Sequence, residues 1–248
     1  MLRFRTPILV TAVSLVAMAC NNSTEPITAG RISLTSSYSN LVAPAPSVGV
    51  LWKSTGSSVA DSLTITRARL VLKDIKFKSN VDSMNYKAGP VIVELNLTTA
   101  AQTLDVKEVP FGTYNRIEFD VHRTQPSEIS GMSTADQAAF ADFLAGEVYS
   151  IIIEGTVYRT GQSDTAYVYR SKVDDQQKYD LVPELTISEQ ALDANVTLLI
   201  SSGSWFKDTS GLLVDPTDPN NEGIIDENLK ASIRVFKDNN KDGSKDAN

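Results

Sequence analysis

A chain of 248 residues with 23 Lys and Arg against 30 Asp and Glu carries a formal charge of −7, and it holds one histidine and one cysteine. That balance argues against a nucleic-acid partner, because proteins that hold phosphate backbones take much of their affinity from clustered basic side chains. A lone His and a lone Cys also exclude a zinc centre built from those ligands and an intrachain disulfide, so burial of apolar surface has to hold the fold together.

From the N-terminus, residues 1–19 read as a signal peptide: basic Arg3 and Arg5, an apolar stretch from Ile8 to Val16, then small residues up to Cys20. The apolar stretch is shorter than the roughly 20 residues of a membrane-crossing helix, so cleavage is expected in place of permanent insertion. Ala17, Met18 and Ala19 ahead of Cys20 resemble the lipobox of bacterial lipoproteins, with Ala17 where Leu is usual. The resemblance implies that Cys20 is diacylated and becomes the mature N-terminus; the competing reading is ordinary cleavage after Ala19. Several acyl chains on one residue anchor stably, so the membrane is the expected partner through Cys20. Asn21 is not the Asp that resembles an inner-membrane retention signal, which favours the outer membrane, facing the periplasm or the surface. Loss of the two cations Arg3 and Arg5 with the leader takes the formal charge from −7 to −9.

Residues 20–29 are polar and aperiodic and predict a flexible tether. Apolar residues then recur with period two, the mark of strands with one buried face. The stretches are 63–77 with a break at Lys73 and Asp74, 90–97, a brief one at Leu104 and Val106, and 114–122; further strand candidates, rich in β-branched or aromatic residues, are 31–35, 147–159, 165–173, 178–187, 192–200 and 231–236. Residues 114–122 alternate most cleanly, with Ile117, Phe119 and Val121 on one face and Arg116, Glu118, Asp120 and His122 on the other. Thr160–Asp164 predicts a hairpin turn, and Asp215–Asn228 reads as a long loop. Ser133 to Asp136 has capping-box form, which predicts one short helix from about Thr134 to Ala145, ended by Gly146 and covering an open end of the sheets. Many short strands and little helix predict an all-β antiparallel β-sandwich over residues 30–236, followed by a polar tail at 237–248.

Ala68–Ile75, Val91–Leu95 and Val109-Pro110-Phe111-Gly112-Thr113-Tyr114-Asn115-Arg116-Ile117 together resemble a family of uncharacterised bacterial lipoproteins that carry a domain of unknown function. Its pattern includes a Pro-x-Gly-x-Tyr turn, in which Gly112 is expected to allow the turn and Tyr114 to open the next strand. The resemblance covers roughly residues 60–200. It implies a transthyretin-like or carbohydrate-binding-like sandwich in the cell envelope, and no catalytic residue.

A hydrolytic triad needs a base such as histidine, and His122 is expected on a wet strand face. No carboxylate pair is singled out for glycosidic chemistry. The sharpest motif is Asp238-Asn239-Asn240-Lys241-Asp242-Gly243-Ser244-Lys245-Asp246. Oxygen-bearing Asp238, Asn240, Asp242, Ser244 and Asp246 stand at alternate positions with Gly243 at the sixth, as in the first part of a calcium loop. Calcium is thus the one cofactor the sequence suggests, with missing ligands sought among Asp215, Asp218, Glu222, Asp226 and Glu227; the competing reading is a frayed tail. Trp52, Trp205 and the tyrosines are expected in the core more than on a sugar-stacking face. The sequence therefore predicts a lipid-anchored, non-catalytic binding or structural module, with a glycan or another envelope protein as its partner besides the membrane. The alternative is a carbohydrate-binding or calcium-stabilised adhesion module.

Overall fold

The computed structural model describes residues 28–39, 50–53, 60–79, 83–98 and 101–246. Cys20, its leader and all but the last two residues of the predicted tether lie outside them; Ala29, the last, already opens a strand. The strands are β1 (Ala29–Ser39), β2 (Val50–Lys53), β3 (Ser62–Ser79), β4 (Ser83–Lys87), β5 (Val91–Glu94), β6 (Gln102–Pro110), β7 (Gly112–Val121), β8 (Ile151–Tyr158), β9 (Thr165–Ser171), β10 (Asp175–Ile187), β11 (Asp193–Ser201) and β12 (Ile233–Lys237). The helices are α1 (Pro126–Ile129), α2 (Thr134–Ala139) and α3 (Glu222–Ala231).

These strands form a β-sandwich. One sheet has the order β12-β11-β1-β6; the other has β10-β7-β3-β8-β9, with β2, β4 and β5 paired to the long β3. All pairs are antiparallel except β1 with β11, which run parallel in register from Arg31 with Asp193 to Ser39 with Ser201. Alternation reports which face of a strand is buried and not its direction, so that parallel pair left no mark in the sequence.

The core lies between the sheets. Ile32 and Leu34 of β1 and Val196, Leu198 and Ile200 of β11 meet Leu63, Ile65, Leu70 and Leu72 of β3 and Ile117, Phe119 and Val121 of β7. The clean alternation of residues 114–122 thus sets the inward face of β7. The run Ile151-Ile152-Ile153 does not alternate because both faces of β8 are covered. Ile151 and Ile153 join the main core, whereas Ile152 joins Val71, Ile129, Phe140 and Phe143 in a second cluster on the outer face.

That second cluster corrects the expected place of the helical segment, which packs on the outer face of the larger sheet and not over an open end. The apolar side chains of Val71 and Ile152 point outward there and need cover. Ser133 Oγ accepts from Asp136 N at 3.1 Å, as the capping pattern requires. The α-helix then stops at Ala139 and a 3₁₀ turn runs from Ala141 to Leu144, which lets both Phe140 and Phe143 face the sheet. Gly146 has φ +83°, a left-handed value that suits its place after the segment. Arg69, 5% exposed, fixes the segment from below: its Nη2 donates to Asp142 at 2.8 Å and Glu154 at 3.0 Å, with the guanidinium 5.4 Å from the Phe143 ring centre.

Two further expectations change. The loop predicted over Asp215–Asn228 contains a 3₁₀ turn at Pro219–Asn221 capped by Asp218 and most of α3, whose Ile225 and Leu229 are buried one turn apart. At the Pro-x-Gly-x-Tyr turn the chain crosses from β6 in one sheet to β7 in the other. Gly112 does not have a left-handed backbone, and a Cβ there would meet nothing within 4 Å. The corner is closed by Tyr114, whose hydroxyl donates to the Pro110 carbonyl at 2.9 Å. The break foreseen at Lys73 and Asp74 is a bulge: Asp74 has φ 51°, and the pairing of β3 with β7 shifts between Lys73 and Lys76.

Candidate functional site

The Asp238–Asp246 segment follows β12 directly and is folded back onto the smaller sheet. Asp238 is 0% exposed. Its Oδ2 accepts from Thr197 Oγ1 at 2.7 Å and Gly243 N at 3.0 Å, and its Oδ1 accepts from Asp242 N at 3.1 Å. Asn195 Nδ2 holds the Asp238 carbonyl at 2.7 Å and Thr35 Oγ1 at 3.0 Å, so a buried polar chain spans β1, β11 and the loop. Lys241 and Gly243 both have left-handed backbones, with φ 58° and 80°. The end of the segment returns to its start: Asp246 N donates to Lys237 O at 3.1 Å, and Asn239 N donates to Asp246 Oδ2 at 2.9 Å. The segment through Asp246 therefore belongs to the folded body.

The structure brings the sequence-predicted ligands into one loop without turning them to one point. Asn240 Nδ2 donates to Asp242 Oδ2 at 2.9 Å, and Ser244 N donates to Asp242 Oδ1 at 2.7 Å. Among the described residues no three acidic, histidine or cysteine side chains converge as a metal-holding group. Four of the five acidic residues named near α3, Asp215, Asp218, Asp226 and Glu227, are engaged elsewhere. Asp215 is nearly buried against Arg159; burial acts to raise its carboxyl, but Arg159 and Thr217 bring it below the usual carboxylate range. Asp226 Oδ1 accepts from Tyr169 at 2.8 Å, Glu227 pairs with Lys230 at 2.7 Å, and Asp218 caps its own turn.

His122 stands at the end of β7 and is not on an open face: its side chain is 16% exposed. Its Nε2 lies 2.8 Å from Glu128 Oε2 and its Nδ1 lies 3.4 Å from Asp174 Oδ1. Lys73 Nζ reaches the other Glu128 oxygen at 2.6 Å, and Gln125 N donates to Glu128 at 2.7 Å. Burial would raise the Glu128 carboxyl, yet these donors together bring it down to about 2. The ring is thus clamped between carboxylates at the root of α1, and among the described residues no hydroxyl bonds to it. Sequence reasoning missed this cluster because its members come from β3, β7, α1 and the stretch after β9.

Trp205 is 1% exposed, and Tyr38, Tyr86, Tyr114, Tyr167 and Tyr169 are buried. The large exposed apolar side chains among the described residues are Val106, Val168, Val182 and Leu192, none of them aromatic. The Trp52 side chain lies outside the described set.

Fold and site together define a β-sandwich with a polar, oxygen-rich loop tied to its smaller sheet. No family model matches the chain, and no curated protein matches it, so the family resemblance rests on the residues that suggested it. Among solved structures, MbnP from Methylosinus trichosporium is similar at a TM-score of 0.38 and 11% identity, over 85% of this chain and 98% of that one. That likeness is too slight to transfer an activity.

Proposed function

We propose that this chain is a lipid-anchored, non-catalytic binding or structural module of the bacterial cell envelope, held at the outer membrane through Cys20. The observation that carries the reading is the place of the sole cysteine, directly behind a basic, then apolar, then small-residue leader and shortly ahead of β1, which begins at Ala29. A tether of about nine residues reaches at most roughly 30 Å when extended, which holds the sandwich close to the bilayer. The non-catalytic reading is supported by His122, which is held between Glu128 and Asp174 with no hydroxyl bonded to its ring among the described residues. The direct test is labelled palmitate fed to cells making the protein: wild type incorporates it and Cys20→Ser does not. Equal labelling of both, or none of wild type, contradicts the anchor.

A second reading, a calcium-stabilised adhesion module, is favoured by the fold of the Asp238–Asp246 loop, with its alternate oxygens and its left-handed Gly243 at the sixth position. Titration with Ca²⁺ tests it. Binding heat and a higher melting temperature at millimolar metal support the reading, and the absence of both ends it. A carbohydrate-binding role would need a stacking platform, for which the described residues offer no exposed aromatic ring.

A further inference from the structure

Where β11 ends, the Ser202–Ser204 turn and the C-terminal end of α3 enclose a cleft of about 460 Å³. Ser201, Ser204, Lys207, Ser232 and Arg234 line it, and among the described residues no Asp or Glu does. In a chain with seven more acidic than basic residues, a cleft whose described lining holds two cations and no carboxylate is a local inversion of the charge.

Arg234 is held at this cleft by its neighbours. Along β12, Ile233 and Val235 turn inward and Arg234 turns out. Its Nη1 donates to the carbonyls of Ala231 and Ile233, both at 2.8 Å, which fixes the guanidinium beside the last turn of α3. Among the described residues its Nε and Nη2 have no protein partner, and neither have the hydroxyls of Ser201 and Ser204. A guanidinium only donates, and serine hydroxyls donate readily, so a ligand made of acceptors with negative charge satisfies Arg234 Nε and Nη2 and the two hydroxyls, with the Lys207 ammonium adding its charge to the cleft.

We propose that this cleft binds a phosphate or sulfate group carried by a small molecule or a lipid headgroup. Arg234 and Lys207 supply the charge, and Ser201 and Ser204 supply hydrogen bonds to the remaining oxygens. The volume exceeds what a free tetrahedral ion needs and falls in the range of ordinary ligand pockets, so the anion is the head of a larger ligand. At physiological salt the screening length is about 8 Å, so the acidic surface beyond the cleft does little to repel it. The assignment stands on the cleft's own residues and does not depend on the lipid anchor.

Calorimetric titration of the full-length protein in neutral detergent tests it, with inorganic phosphate, sulfate and glycerol 3-phosphate at ionic strength held constant with chloride. Saturable binding is expected, weakened at least tenfold by Lys207→Gln or Arg234→Gln and several-fold by Ser204→Ala. Phosphate should raise the melting temperature of the wild type but not of Lys207→Gln. Because Arg234 also ties the end of α3, Ser204→Ala, at an exposed position, provides the readout free of folding effects. Tighter binding of glycerol 3-phosphate than of inorganic phosphate confirms an ester-borne group. No saturable heat with any of the three anions overturns the proposal, and so does affinity that is unchanged in both Ser204→Ala and Lys207→Gln.

Discussion

Replacing Glu128 with Gln removes one charge from the cluster that joins β3, β7 and α1. The carboxylate accepts from Gln125 N, Lys73 Nζ and the His122 ring at 2.7, 2.6 and 2.8 Å, and its side chain is 21% exposed. It titrates at about 2 in the folded protein against an ordinary value of 4.5. A difference of that size is on the order of 3 kcal/mol of stability at neutral pH. Because the folded value is the lower one, the contribution is complete above the unfolded value and is lost as pH falls from about 4.5 to about 2. The Gln amide also turns a donor toward groups that are themselves donors. For a domain of this size, about 3 kcal/mol corresponds to a melting temperature lower by roughly 6–12 °C. Paired thermal melts of wild type and Glu128→Gln from pH 7 to pH 2 measure it, and acidic groups common to both proteins largely cancel in the difference. A wide gap at pH 7 that closes toward pH 2 is expected. A gap of the same width at both ends, or none at pH 7, refutes the assignment of Glu128 as the ionised centre of the cluster.

Four further substitutions probe the fold. Tyr114→Phe removes the bond that closes the β6–β7 corner and should cost about 1 kcal/mol in urea unfolding, whereas Gly112→Ala should be close to neutral because nothing lies within 4 Å of its added Cβ. Gly155→Ala places a Cβ 1.9 Å from Thr64 O and 2.7 Å from the Tyr167 ring, so β3 and β8 have to part; a loss of about 3 kcal/mol is expected by the same measurement. Asp238→Ala removes the acceptor of Thr197 Oγ1 and Gly243 N and leaves Asp242 N only its bond to Asn240 Oδ1, and hydrogen exchange of residues 239–246 should quicken together with a loss of about 2–4 kcal/mol. Unchanged exchange in that segment would show that Asp238 does not hold the loop.

Where one face of a strand is buried and the other wet, as in Ile117-Glu118-Phe119-Asp120-Val121, the pattern in the sequence and the structure agree residue by residue. The pattern was silent in three circumstances. Ile151-Ile152-Ile153 lies between two layers, so its period vanishes. Residues 83–87, Ser-Met-Asn-Tyr-Lys, offer too few apolar residues for a strand to be read, although Tyr86 is buried among the core side chains. In α3, the Pro-, Asn- and Asp-rich residues just before the helix masked the Ile225 and Leu229 spacing; Asp218 followed by Pro219 is the cap-and-first-turn signal that could have found it. Of the candidate site, the Asp238–Asp246 loop was legible because its ligand types are consecutive in the chain. The His122 cluster and the Arg234 cleft were not, because each gathers residues from distant elements whose neighbourhood exists only once the two sheets are packed.

The claim on which the functional account turns is covalent, and mass spectrometry of the N-terminal peptide from envelope-purified protein addresses it most directly. A mature chain that begins at Cys20 and carries diacylglycerol on its sulfur is the expected result. A retained leader, or a Cys20 found with an unmodified thiol, contradicts it.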